Sequence, residues 1–148
     1  MVTINATHTP AQPYRNKKLE YFVNIVINAI ILIIVNEILN WGILPFLTQA
    51  FKRVLPIQNA SLALNIAFYA LFLFYDRNWF VSLLRVVLNA VSVAVAVRFL
   101  TVFPFDFSGS SFDWALLFRI FIVLGIVGLS FAIIVEFVKF IGAAMRRK

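Results

Sequence analysis

Four long apolar stretches constrain this chain more than any other feature. A helix needs about 20 mostly apolar residues to cross a bilayer, and four segments meet that length: Tyr21–Asn40, Ile57–Tyr75, Trp79–Leu100 and Trp114–Phe137. Hydrophobic residues make up 63% of the 148 residues and charged residues only 13%, whereas soluble domains carry about 25% charged residues. The sequence therefore predicts an all-α fold, an integral membrane four-helix transmembrane bundle.

The segment between the first two spans has a helical pattern but is too short to cross a bilayer. From Pro45 to Pro56, apolar residues recur at helical spacing, and polar residues including Lys52 and Arg53 occupy the other face. Ten helical residues reach only about 15 Å. The pattern predicts a short interfacial helix between spans 1 and 2, lying in the headgroup plane.

Basic residues flank the apolar region unevenly. We expect a polar N-terminal tail over 1–19, a single four-span domain over 20–142 and a basic C-terminal tail over 143–148. With the N-terminus inside, the inner side holds eight basic residues: Arg15, Lys17, Lys18, Arg77, Lys139, Arg146, Arg147 and Lys148. The outer side holds two, Lys52 and Arg53. The positive-inside rule predicts that both termini are cytoplasmic.

The third span carries a stripe of polar and small residues. Ser82, Arg85, Asn89, Ser92 and Ala96 fall within roughly 80° of one another at about 100° per residue. Such a face either lines a water-filled path or packs closely against another helix, because small residues allow close approach and amides hydrogen-bond across the contact. The pattern favours packing, and Arg85 is the residue that supports the functional alternative.

Charged side chains inside the spans need partners. Depth along the helices predicts an inner ion pair between Arg85 and Glu136, provided that the fourth helix continues to about Gly142. It also predicts an outer pair in which Arg98 or Arg119 engages Glu37.

A hydrogen-bonded cluster is expected between the outer halves of the first two spans. Its members are amide, hydroxyl and carboxyl side chains at matching depth: Asn36, Glu37, Asn40, Gln58, Ser61 and Asn65.

The intramembrane charges do not balance. Three arginines lie within or near the spans against one carboxylate well inside and one at the edge, and an unpaired arginine near mid-span costs about 2.5–3.5 kcal/mol on insertion scales. Arg85 is too deep to reach water easily. The excess indicates an anionic partner, such as an anionic lipid headgroup, a lipid-linked phosphate or an acidic residue of another chain.

Catalytic and cofactor-binding patterns are missing from the sequence. There is no cysteine, and the only histidine is His8 in the tail, so nothing indicates a metal or cofactor site. The spans hold no nucleophile with a base, and we expect no enzyme. The net charge of +7 belongs to helix ends rather than to a nucleic-acid surface.

Two functions remain as expectations. The first is a structural or accessory subunit of a larger membrane-protein complex, or a homo-oligomer, because four short helices bury little between them. The alternative is transport or flipping of a small anionic or lipid-linked substrate along the polar face of span 3. The candidate residues are Arg85, Asn89, Ser92, Glu37, Arg98, Arg119 and Glu136.

Overall fold

Four helices run up and down between two ends of the molecule. The computed structural model describes residues 16–146, so His8, Arg15 and the last two basic residues lie outside the description. The helices are α1 (Lys17–Trp41), α2 (Leu55–Phe74), α3 (Asn78–Val102) and α4 (Trp114–Met145). We name the end where α1 begins and α4 finishes the terminal end, and the opposite end the loop end. The described residues form no strand.

Local sequence signals set the helix limits. The side chain of Asn16 accepts a hydrogen bond from the backbone of Lys18 and caps α1, and Asp113 caps α4 in the same way by accepting from Leu116. These caps satisfy N–H groups that have no partner within the helix. Gly42 ends α1 with φ of 61°, a left-handed conformation that favours glycine.

All four helices are long and apolar enough to cross a membrane by length and composition. Each contains the core of a predicted span, but α1 and α3 are longer than expected at both ends. The largest difference is in α4, which has 32 residues and continues from the predicted limit at Phe137 to Met145. At 1.5 Å per residue it is about 48 Å long. The continuation past Gly142 was the condition for the inner ion pair.

The segment 45–56 is not the continuous helix that its pattern predicted. Before α2 begins at Leu55, only Gln49–Arg53 is helical, as a single 3-10 element. Pro56 lies in the first turn of α2, where proline is tolerated because its missing N–H has no partner there anyway. Phe51 and Val54 are buried within the protein, so they pack inward. Lys52 and Arg53 are exposed.

The helices associate in pairs. Helix α1 packs along α2 and α3 packs along α4, with a smaller contact joining α2 to α3. The main cluster of buried residues, Tyr21, Phe72 and Val81, lies at the terminal end. Many other large apolar side chains are exposed, and α4 exposes 65% of Phe131 and 63% of Val138.

The loop end is closed by aromatic packing between two connections. The backbone of Thr48 donates to Pro104 O at 2.9 Å, and the backbone of Asp106 donates to Phe46 O at 2.8 Å. Phenylalanines from both connections, α3 and α4 then pack in series: Phe46, Phe51, Phe99, Phe103, Phe105, Phe107 and Phe118. These contacts hold the α1–α2 connection against the α3–α4 connection.

The expected polar contact between α1 and α2 is present with a different partner. Asn36 and Asn59 exchange two side-chain hydrogen bonds of 3.0 Å. Asn65 instead donates to the backbone of Ser61 on its own helix. The prediction of polar contact at this depth is confirmed, but the residue on α2 is Asn59, which the sequence analysis did not select.

Gly42→Ala should lower the free energy of unfolding by about 1 kcal/mol. An added Cβ meets no atom within 4 Å, so the cost arises only from the left-handed backbone. Gly109→Ala is the matched control, because Gly109 is also a loop glycine with no atom near its Cβ and has no positive φ. Chemical unfolding in detergent measures both variants. Equal effects of the two substitutions would contradict the assigned role of Gly42.

Candidate functional site

An open cavity of ≈ 920 Å³ occupies the terminal end. Residues of α1, the α2–α3 turn, α3 and α4 form its walls, so it lies between α1, α3 and α4. Its charged lining residues are Lys17, Glu20, Asp76, Arg77, Arg85, Glu136, Lys139 and Arg146. This is the largest concentration of charge that the described residues contain.

Glu136 lies at the wall of this cavity between two cations. Its side chain is only 11% exposed, and Oε1 accepts a hydrogen bond from Lys139 Nζ at 2.9 Å. The same oxygen lies 3.8 Å from a terminal guanidinium nitrogen of Arg85. The inner ion pair that depth predicted is therefore confirmed. Lys139 is the close partner and Arg85 the distant one, so the guanidinium of Arg85 has donors that Glu136 does not use.

Asp76 connects α1 to the turn between α2 and α3. Tyr21 Oη donates to Asp76 Oδ1 at 2.9 Å, and Lys17 Nζ lies 3.7 Å from Asp76 Oδ2. Tyr21 is itself 3% exposed and packs on Phe72. The start of α1 is thus held over the cavity by one hydrogen bond, one loose ion pair and an aromatic contact.

Positive charge exceeds negative charge around the cavity. Lys17, Arg77, Arg85, Lys139 and Arg146 contribute five cations. The three carboxylates are Glu20, Asp76 and Glu136, which leaves a formal excess of two positive charges.

These cations differ in whether a carboxylate lies close to them. Among residues 16–146, Arg77 and Arg146 have no carboxylate within ion-pair distance. An opening with this balance attracts anions.

The beginning of α3 adds to this preference. Arg77 occupies the N-cap position and provides no side-chain cap, and Arg77, Asn78 and Trp79 all line the cavity. The unpaired N–H groups of a first helical turn favour negative charge. Arg85 lies seven residues after Asn78, the first residue of α3, which places it about 10 Å below the start of the helix.

The predicted outer ion pair is wrong for the described residues. Glu37 is exposed and accepts a hydrogen bond from Asn40 at 2.9 Å on its own helix. Arg98 Nε instead donates to Arg53 O at 3.4 Å. The guanidinium of Arg119 lies 4.6 Å from the ring centre of Phe103 in a cation–π contact. Glu37 has neither arginine beside it because α1 packs along α2 rather than along α3 or α4.

Asn89 and Ser92 lie further along α3, outside the cavity lining. Both are half-buried, and the hydroxyl of Ser92 donates to the backbone of Leu88 at 2.9 Å. Ser82 and Arg85, from the same stripe, do line the cavity. Only the terminal part of the polar stripe therefore belongs to the site, and the cavity ends near Arg85.

A smaller cavity of ≈ 490 Å³ lies at the loop end beside the phenylalanine series. Its polar lining includes Asp106, Asp113 and Arg119. Hydrogen bonds from the backbone and side chain of Ser108 hold the pKa of the exposed Asp106 carboxyl below its usual value. Its two carboxylates and one arginine give it the opposite charge balance from the terminal-end cavity.

Sequence reasoning missed Asp76 as a site residue. An aspartate beside a turn is ordinary, and its role depends on Tyr21, which is 55 positions away. One signal was available: Asp76 is an acidic residue in a short connection that the positive-inside rule assigns to the basic side.

No group of three or more acidic or histidine side chains in residues 16–146 is arranged to hold a metal ion. Comparison with known proteins gives no match to any family model, curated protein or solved structure.

Exchanging the charges of Arg85 and Glu136 should restore stability that either single reversal removes. Arg85→Glu places two carboxylates together and Glu136→Arg places three cations together, and we expect each to cost about 1–2 kcal/mol, because Arg85 is partly exposed. The double variant should recover most of that loss, apart from repulsion between the guanidinium introduced at position 136 and the ammonium of Lys139.

Unfolding in detergent measures this coupling. Arg119→Glu combined with Glu136→Arg is the control pair and should show no recovery, because Arg119 lies at the loop end. A double exchange at positions 85 and 136 that recovers nothing would contradict the ion pair.

Proposed function

We propose that the four helices cross a bilayer and that the terminal-end cavity binds a phosphate-bearing anion at the cytoplasmic face. Large apolar side chains exposed along the helices, such as Phe121 and Phe131, support insertion, because a surface of this kind is stable in lipid rather than in water. The basic residues gathered at the terminal end support the orientation.

The observation that carries the anion proposal is the cavity charge, five cations around three carboxylates. A phosphate suits this site because guanidinium groups bind its oxygens in pairs. Arg85 is the central ligand in this proposal, since it lies deepest and is only loosely held by Glu136. Arg77 and Arg146 attract the anion toward the opening.

The site is proposed for binding rather than for a continuous transport path. Transport along the polar face of α3, the alternative from the sequence, requires the cavity to continue past Arg85. Its lining stops there in the described residues, and Asn89 and Ser92 are not part of it.

Glycerol phosphate should stabilise the detergent-solubilised, delipidated protein against thermal unfolding. A ligand that binds only the folded state raises its stability by about 1.4 kcal/mol when present at ten times Kd. Arg85→Gln should weaken binding about tenfold or more, because a hydrogen bond to a charged group contributes about 1.5–3 kcal/mol. Arg98→Gln is the control and should bind as the unmodified chain does, since Arg98 lies at the loop end.

Two controls accompany glycerol phosphate. Glycerol alone tests for effects of the alcohol, and sodium chloride at matched ionic strength tests for effects of salt. Equal stabilisation of the Arg85 and Arg98 variants by glycerol phosphate, or none in the unmodified chain, would contradict the proposed site.

A second candidate function is assembly, as a homo-oligomer or as an accessory subunit. Gly125 and Gly128 on α4 are exposed, and a Cβ built on either meets no atom within 4 Å. Small residues on an exposed face allow another helix to approach closely in lipid. This observation supports a self-contact along α4.

Gly128→Leu should therefore reduce self-association of the chain in nanodiscs or mild detergent, because the added side chain separates the helices. Val127→Leu is the control, an exposed neighbour turned by about 100° around α4. Native mass spectrometry gives the oligomeric state. A monomeric unmodified chain without a co-purifying protein, or an oligomer unaffected by Gly128→Leu, would contradict this candidate.

A further inference from the structure

We propose that the anion in the terminal-end cavity is the headgroup of an anionic phospholipid, which enters sideways from the bilayer between α1 and α4. This inference rests on the proposed phosphate site and commits to one source of the phosphate. It follows from the way in which the helices pack around the cavity, from the depth of Arg85 and from the apolar surface beside the opening.

Helices α1 and α4 form two walls of the cavity, but no extensive contact between these two helices closes the space that separates them. Lys17, Glu20 and Tyr21 of α1 line one side, and Glu136, Lys139 and Gly142 of α4 line another. Both helices are fully described, yet α1 packs along α2 and α4 packs along α3, with no packing contact of comparable extent between α1 and α4. The gap between the two helix pairs therefore leads from the cavity toward the surrounding medium.

The depth of the cavity matches a lipid headgroup. Arg85 lies about 10 Å below the start of α3, and each headgroup region of a bilayer is about 5–8 Å thick. With the start of α3 at the bilayer surface, a phosphate that contacts Arg85 lies near the lower edge of the headgroup region, where acyl chains begin. The cavity is open, so a free phosphate can also reach this level, but a lipid phosphate is already close to it.

Apolar side chains border the same level on both flanking helices. On α1, Val23 and Ile27 are 43% and 47% exposed, and on α4 Val135 and Phe137 are each 50% exposed. These surfaces are suited to contact with acyl chains. The net positive charge of the cavity selects lipids with an anionic headgroup over zwitterionic ones, because a bound zwitterion brings its own cation into the site.

In this proposal, Glu136 and Lys139 determine whether the guanidinium of Arg85 is available to bind phosphate. Without lipid, the carboxylate of Glu136 lies beside both cations and is closer to Lys139. When the phosphate binds, Arg85 turns to it and Glu136 stays neutralised by Lys139 at 2.9 Å. Lys139 is thus a positioning residue, and its loss should weaken lipid binding because Glu136 would then compete for Arg85.

The test uses the full chain in nanodiscs of phosphatidylcholine with a trace of phosphatidylglycerol that carries a photoreactive diazirine on its acyl chain. Mass spectrometry then locates the labelled residues. We expect labelling to concentrate on α1 and α4 near the terminal end and to saturate. It should be displaced by unlabelled phosphatidylglycerol and, at high concentration, by glycerol phosphate.

Arg85→Gln should lower this labelling about tenfold, and Arg98→Gln should leave it unchanged. Ala143→Trp is a second variant that keeps every charge. Because Ala143 lines the cavity on α4, the indole should narrow the cavity and also reduce labelling. If Arg85→Gln fails to fold, Ala143→Trp tests the site alone.

Labelling spread evenly over all four helices and insensitive to Arg85→Gln and Ala143→Trp would overturn the inference. If glycerol phosphate still stabilised the unmodified chain through Arg85 in that case, the cavity would bind a free phosphate compound and only the lipid assignment would fail. If that stabilisation were absent as well, the proposed phosphate site would fail with it.

Discussion

The carboxylate of Glu136 is the interaction on which the terminal end of the protein depends. It is buried on a mostly apolar helix, and it neutralises Lys139 on its own helix while lying beside Arg85 on the neighbouring one. Without this carboxylate, two cations would lie below the start of α3 without compensation, at a cost that grows with their distance from water. The same arrangement leaves Arg85 only partly paired with Glu136. Arg85 therefore contributes to the contact between α3 and α4 and is also the proposed anion ligand.

The two ends of the bundle use different chemistry to hold the same helices. At the terminal end, Asp76 accepts from Tyr21 and lies near Lys17, so polar contacts join α1 to the turn between α2 and α3. At the loop end, phenylalanine rings and a few backbone hydrogen bonds join the two connections. The cavity with excess positive charge therefore lies at one end only of the described residues.

The helices were predictable from sequence because spanning length and apolar content leave few alternatives. Their packing was not, since nothing in a single sequence specifies which helix lies beside which. The outer ion pair of Glu37 failed for this reason, whereas the inner pair of Arg85 succeeded because consecutive helices, here α3 and α4, are usually neighbours. The prediction of a continuous helix over 45–56 differs from the structure because the same helical spacing also fits a 3-10 turn. The apolar side chains of that turn, Phe51 and Val54, pack on the protein itself.

The central claim is that Arg85 contacts a lipid phosphate within a bilayer. Solid-state NMR can test it by measuring dipolar coupling between lipid ³¹P and ¹³C at the guanidinium carbons of the eight arginines, in the unmodified chain and in Arg85→Lys. The account predicts a strongly coupled arginine signal in the unmodified chain that Arg85→Lys removes. Identical coupling in the two samples would mean that lipid phosphate contacts only the other arginines, and this would contradict the account.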